Sequence, residues 1–224
     1  MRRFHIVVFA LAVALVLPAL AGARARHTEG TYLVARVQGP LVLRDEPFGL
    51  PIRHLGRRTE FGSPQMLAVV RGAGGRWLGV TSPAAPNGRL AWVDARSNHL
   101  RYSRVRLRLD VDLSRRVLSV LAGGRLVRSF PVGIGRPGAA TPIGRFAVTD
   151  KLQGAGYGPY YGCCILALSG HQPHTPAGWR GGNRLAIHGG GLGAVSAGCV
   201  HGRTDDLRFL MRTAPLGTPV FIHP

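Results

Sequence analysis

The sequence predicts a mainly β chain in two parts, and three observations carry that reading: abundant turn residues, short apolar runs between them, and one sustained two-residue alternation. Of the 224 residues, 32 are Gly and 16 are Pro, while 17% are charged and 46% are hydrophobic. That balance suits a turn-rich globular chain and excludes a coiled coil or a charged disordered tail. Three cysteines are too few to build a disulfide miniprotein, and the length buries a core without crosslinks.

At the start, Arg2 and Arg3 precede the apolar run Ile6–Leu17, and small residues up to Ala23 suit signal-peptidase cleavage. Residues 1–23 are therefore expected to be a secretory signal that delivers the chain to the cell envelope, a periplasm-like space or the cell wall. The alternative is an uncleaved membrane anchor, although the run is shorter than the roughly 20 residues that span a bilayer comfortably. The whole chain carries 29 Lys+Arg against 10 Asp+Glu; the leader holds two of the arginines, so 27 basic residues remain in the exported body. Their single, scattered placement and the absence of a recognition-helix or aromatic RNA-binding motif argue against nucleic acid as partner. Anionic cell-wall polymers or lipid headgroups, drawn in by a field that salt screens, fit better.

The first part contains five apolar stretches: Tyr32–Val37, Leu41–Leu43, Met66–Val70, Trp77–Val80 and Leu90–Val93. Gly39-Pro40, Gly74-Gly75 and Pro86-Asn87-Gly88 reverse the chain between them, which predicts a small barrel of about five strands. Trp77 and Trp92 are expected to be core aromatics. The stretch Thr59–Pro64, together with Trp77–Val80 and Asn87–Val93, resembles a bacterial SH3-like module, which would occupy residues 32–98 and serve in docking or targeting. Asp94–Ser103 reads as polar connecting chain, with the linker proper at 99–103.

The second part opens on the alternation Val105–Leu113, in which every second residue is apolar, the mark of a strand with one buried face. Val117–Leu121 and Leu126–Val132 flank Ala122-Gly123-Gly124 and predict a hairpin. Phe146–Val148 and Pro219–Ile222 add strands. One helix is predicted over Asp205–Thr213, with Thr204 as its cap, Asp205 and Asp206 at its positive end, and Leu207, Leu210 and Met211 on its apolar face.

Chemistry concentrates in the segment from His188 to Gly202. A thiol, Cys199, stands among glycines eleven residues after His188 and just before the helix. A thiol with a pKa of about 8.5 is mostly protonated at neutrality, so a nearby imidazole must take its proton. His188 is the candidate base. Gly198 admits a substrate carbonyl close to the backbone, and amides near Gly198 and Cys199 are candidates for holding the oxyanion. This is the equipment of acyl transfer.

At these residues the sequence resembles the catalytic domain of the L,D-transpeptidases, the cysteine enzymes that crosslink peptidoglycan. The resemblance spans roughly residues 104–223 of a catalytic domain expected over 104–224, and rests on Asp112-Leu-Ser114, Phe130-Pro-Val132 with Gly135, Thr141–Phe146, His188-Gly189, Ser196-Ala-Gly-Cys199 and Gly217–Val220. It implies a mixed β-sandwich with a short helix after the nucleophile, Cys199 as nucleophile, His188 as base, and the Gly189 backbone as orienter of the imidazole. It also implies a thioester with a peptidoglycan tetrapeptide stem, resolved by an amine of a neighbouring stem to give a 3→3 crosslink, and acylation of the same cysteine by carbapenems. Ser196, His201 and His171 are expected to contact substrate. Two positions depart from the family pattern Ser-His-Gly-Cys followed by an aliphatic residue and Arg or Asn: Ala197 replaces the histidine, and His201 stands at the Arg. A histidine there, charged part of the time near pH 6.5, is expected to make turnover pH-dependent.

Between Asp150 and Ile187 a Gly-, Pro- and aromatic-rich stretch with Tyr157, Tyr160, Tyr161, His171, His174 and Trp179 is expected to form a lid. Cys163 and Cys164 are expected to be buried thiols, since neighbouring cysteines pair only through a strained peptide. No C-x-x-C or H-x-x-x-H spacing appears, so neither a metal nor another cofactor is expected. Two further functions compete with transpeptidation: a cell-wall-binding protein with a degraded site, and a secreted cysteine peptidase or amidase.

Overall fold

The computed structural model describes residues 30–175, 177–178 and 182–224. The expected signal at 1–23 and Trp179 lie outside the described residues. No helix among the described residues is long and apolar enough to cross a membrane.

Seven strands form the first sheet: β1 (Tyr32–Val37), β2 (Leu41–Arg44), β3 (Pro51–Leu55), β4 (Met66–Ala73), β5 (Trp77–Thr81), β6 (Ala91–Asp94) and β7 (Leu100–Val105). Their hydrogen-bonded order is β3-β2-β6-β5-β4-β1-β7. Five of them are the expected apolar runs. The other two, β3 and β7, lie at the two ends of the order and carry mostly exposed side chains, so neither shows the apolar alternation by which a strand is recognised. The linker expected at 99–103 is a correction: those residues belong to β7 or border it, paired antiparallel along the whole of β1. Trp77 and Trp92 are buried, and Ala35, Val37, Leu43, Leu67, Val80 and Val93 make a core of their own.

A single residue, Arg106, separates β7 from β8 (Leu107–Asp112), so the expected strand from Val105 is divided between two sheets. The second sheet continues with β9 (Val117–Ala122), β10 (Arg125–Pro131), β11 (Gly133–Gly135), β12 (Gly144–Gln153), β13 (Cys164–His171), β14 (Arg184–Gly189), β15 (Gly193–Ser196), β16 (Val200–Gly202) and β17 (Pro219–His223). Its order is β10-β9-β8-β17-β12-β13-β14-β16-β11-β15, with β17–β8, β14–β16 and β11–β15 parallel. Leu109 and Leu118 from one half share a core with Leu166, Leu168 and Ile187 from the other, so the sheet closes over itself as the expected mixed β-sandwich.

The helix α1 (Thr204–Thr213) packs on β13 and β14 through Leu207 and Leu210, both fully buried. Its N-cap is Arg203 in extended conformation, so Thr204 is the first helical residue rather than the cap, and no side chain caps the end. Asp206 instead accepts from Arg128 at 2.6 Å.

The stretch expected to be a lid is largely sheet interior. Cys164–Gly170 is buried throughout, the continuous apolar run of a strand covered on both faces, and β14 lies beside it. Among the described residues of this stretch, only 154–163, 172–175, 177–178 and 182–183 remain outside strands.

Polar groups weld the two sheets. The Asn87 amide mimics a strand: Nδ2 donates to the His171 carbonyl at 2.6 Å and Oδ1 accepts from the His171 N–H at 2.9 Å. Thr59 donates to the buried Asp150 carboxylate, and Arg184 pairs with Glu60 while lying 5.6 Å from the Phe61 ring centre. Replacing Asn87 by Ala strips partners from two backbone groups at the join. Urea unfolding of Asn87→Ala is expected to show a loss of about 2 kcal/mol, well beyond the roughly 0.5 kcal/mol typical of a surface substitution.

Candidate active site

Alternation along β14 builds one wall of the site. Leu185 and Ile187 point into the core, whereas Arg184, Ala186 and His188 line a pocket that also contains Ala197 and Cys199. Parallel pairing sets His188 opposite His201 and Ile187 opposite Val200, which leaves Cys199 one step before β16 and beside Ala186. Residues eleven apart in the chain thereby become neighbours across two strands.

His188 is wholly buried, with Nδ1 2.7 Å from the Gly189 carbonyl. A carbonyl only accepts, so the ring proton is assigned to Nδ1, and the lone pair sits on Nε2. That Nε2 is buried with no hydrogen-bond partner among the described residues. The ring is boxed in by His201, Tyr161 and Tyr160 at centroid distances of 4.6, 4.9 and 5.3 Å. Burial first, and the adjacent His201 second, lower the His188 pKa to about 4, against the Gly189 contact. Burial likewise pushes the Cys199 thiol up to about 11, opposed by a backbone hydrogen bond at Ala186. The resting pair is thus neutral thiol and neutral imidazole, with no positive group among the described residues shifting Cys199 toward thiolate.

The turn carrying the nucleophile is braced from within. Ser196 Oγ donates to the Cys199 carbonyl at 2.6 Å and accepts from the Gly198 N–H at 3.0 Å. Ser196 is 1% exposed with its hydroxyl committed to the turn that carries the thiol. The Gly198 amide, spent on Ser196, is not free for an oxyanion. Gly198 is required for other reasons: its φ is +115°, and a Cβ there would lie 1.7 Å from Gln172 Nε2.

Gln172 is the residue that sequence reasoning missed. Its amide is buried and donates to the carbonyls of Ala140 and Ala197 at 3.0 and 3.1 Å, while its Oε1 accepts from the His174 N–H at 3.0 Å. It rivets the nucleophile turn to two other loops, and a lone glutamine in a polar loop carries no signal of that. Arg184 had one: the run Arg-Leu-Ala-Ile-His-Gly alternates, which places it on the His188 face.

Residues 106–222 match the family model of the L,D-transpeptidase catalytic domain. The chain belongs to the L,D-transpeptidase catalytic-domain family. Its curated relatives include the protein described as a candidate L,D-transpeptidase, YkuD, of Bacillus licheniformis, 33% identical over 117 residues that cover 52% of this chain and 66% of that one. The corresponding protein of Bacillus subtilis is 30% identical over 115 residues, covering 51% and 65%. The match therefore spans just under two thirds of those relatives. Among solved structures, the L,D-transpeptidase from Mycobacterium smegmatis aligns at 18% identity over 60% of this chain and 73% of that chain, with a TM-score of 0.42.

Against the family pattern, both departures now have surroundings. Ala197 lines the pocket and offers its carbonyl to Gln172. His201 is 4% exposed, holds the Gly191 carbonyl 3.2 Å from its Nδ1, and stands behind His188 rather than on the pocket wall. Burial lowers its pKa, against the Gly191 contact, and so works against the charge expected of it. His171 Nε2 lies 2.7 Å from the Pro83 carbonyl, and the residue ties the two sheets together. The Gly189 carbonyl lies 2.7 Å from His188 Nδ1, and a Cβ on residue 189 would strike the Gly162 backbone at 2.8 Å.

Cys163 and Cys164 form a disulfide with each other, not the expected pair of thiols, and leave Cys199 as the free cysteine. Among the described residues no three His, Cys, Asp or Glu side chains converge to hold a metal ion. Since a Cβ on residue 198 must displace Gln172, Gly198→Ala is expected to slow acylation of Cys199 by a carbapenem about 100-fold, read by time-resolved mass spectrometry, with the thiol still present.

Proposed function

We propose that the protein is an exported cysteine acyltransferase that cleaves a peptidoglycan tetrapeptide stem and transfers the acyl group to an amine of a neighbouring stem, forming a 3→3 crosslink. The carrying observation is a free thiol and an imidazole in one pocket, the imidazole held by Gly189 with its unprotonated nitrogen partnerless among the described residues. Export is supported by the residue 1–23 pattern and by a disulfide, which persists in oxidising compartments.

In the first step the Cys199 proton passes to His188 Nε2 as sulfur attacks the carbonyl of stem residue three. The tetrahedral adduct collapses, the C–N bond breaks, and the terminal amino acid leaves with the proton from His188. In the second step the acceptor amine gives a proton to Nε2 and attacks the thioester; a C–N bond forms, the C–S bond breaks, and the thiol regains its proton. With pKa values of about 4 for the base and about 11 for the nucleophile, a standing thiolate–imidazolium pair is unfavourable. Proton transfer therefore accompanies attack, as general base catalysis. With Gly198 committed, the Cys199 N–H takes the oxyanion role.

A carbapenem adduct of one per chain, absent from Cys199→Ala, is the expected mass-spectrometric result; no adduct on the wild type favours a wall-binding protein with a degraded site. A tetrapeptide donor plus an amine acceptor is expected to yield crosslinked product in excess of the hydrolysed stem, which separates the transpeptidase from a peptidase. The acylation rate is expected to climb as pH rises through about 4, where His188 loses its proton, and to stay flat between pH 5.5 and 8. An inflection near pH 6.5 would contradict the neutral pair.

A further inference from the structure

The catalytic pocket measures about 40 Å³, room for a few waters, so an acyl group held on Cys199 occupies it. The resolving amine must then arrive from elsewhere. A second cavity of about 270 Å³ lies between the sheets, bounded by the chain around β3 on one side and by β12, β13 and β14 on the other. It shares the Asn183–Arg184 wall with the catalytic pocket. Its size is just below the roughly 300–1,000 Å³ usual for small-ligand sites.

The charges on this cavity have a clear sign. Glu60 is the one carboxylate among its lining residues, and it is already paired with Arg184. Arg184 is fixed further by Thr149 Oγ1 and the Leu168 carbonyl, each accepting from its Nη2 at 2.8 Å. Arg53 and Arg58 remain as cations without a carboxylate partner among the described ion pairs. Walls supplied by both sheets enclose a length of peptide, whereas a phosphate polymer needs a groove that runs on past the cavity. Resting on the transpeptidase reading above, we propose that this cavity is the acceptor subsite: Arg53 and Arg58 hold a free carboxylate of the acceptor stem while its amine reaches past Asn183 to the thioester on Cys199. The β3 segment, part of the first sheet, thereby selects the nucleophile for chemistry carried by the second. Hydrolysis and crosslinking then differ in whether this cavity is filled.

The test uses the full chain with Cys199→Ala, which removes the chemistry, and a synthetic stem tetrapeptide with a diamino acid at residue three, as the free acid and with its carboxylates amidated. Calorimetry is expected to show the acid form binding about tenfold more weakly when Arg53→Ala and Arg58→Ala are added, a loss of about 1.4 kcal/mol. The amidated form is expected to bind as weakly to either protein. Equal binding of the acid form to both proteins overturns the proposal, as does poly(glycerol phosphate) displacing the peptide through the same two arginines. Both side chains are exposed, so the double variant on the Cys199 background is expected to take a carbapenem at the wild-type rate; loss of that adduct in the variant alone would overturn an acceptor-only role. A wild type that fails to form the adduct contradicts the catalytic reading, while the binding comparison still reports on the cavity.

Discussion

The parallel pairing of β14 with β16 is the constraint on which the site is built. It fixes His188 opposite His201 and delivers Cys199 to the same face just before its strand begins. Parallel neighbours need a crossover, and here the chain makes it through the short β15 and a turn held by Ser196. The turn tolerates no side chain at 198 because Gln172 fills that space. The thiol's position is thus set by backbone pairing, one hydroxyl and one amide.

The same burial that fixes the geometry determines the electrostatics. Taking His188 and Cys199 out of water disfavours the charged form of each, so their pKa values move apart. A pair poised as ions would react with any electrophile; a neutral pair waits for a carbonyl placed between sulfur and base. The Gly189 carbonyl matters because it decides which ring nitrogen carries the proton. His201, behind that ring, adds to the bias against protonation.

Much of this was legible in the sequence, for physical reasons that differ from residue to residue. Cys199 and His188 stood out because a thiol among glycines beside a distant imidazole is expensive to explain as packing. The strand β8 was legible because one face is wet. The strand β13 was not, because both faces are buried and its apolar run has no period, and β3 and β7 were hidden for the opposite reason, being mostly exposed. Gln172 was invisible since its importance lies wholly in what surrounds it. Ser196, His201 and His171 were legible as unusual residues, but the hydrogen bonds each makes within the scaffold of the site were not, because their partners come from distant turns and strands.

The first sheet is more than an appendage to this arrangement. Arg106 alone separates it from the second, and Asn87, Thr59 and Glu60 grip the strands that carry the site. The central claim, a neutral imidazole protonated on Nδ1 beside a neutral thiol, is tested most directly by ¹⁵N-resolved NMR of the His188 ring across pH. The account predicts a proton on Nδ1, a bare Nε2, and no protonation of the ring until pH falls toward about 4. An imidazolium at neutral pH that disappears in Cys199→Ala would show a standing ion pair and contradict it.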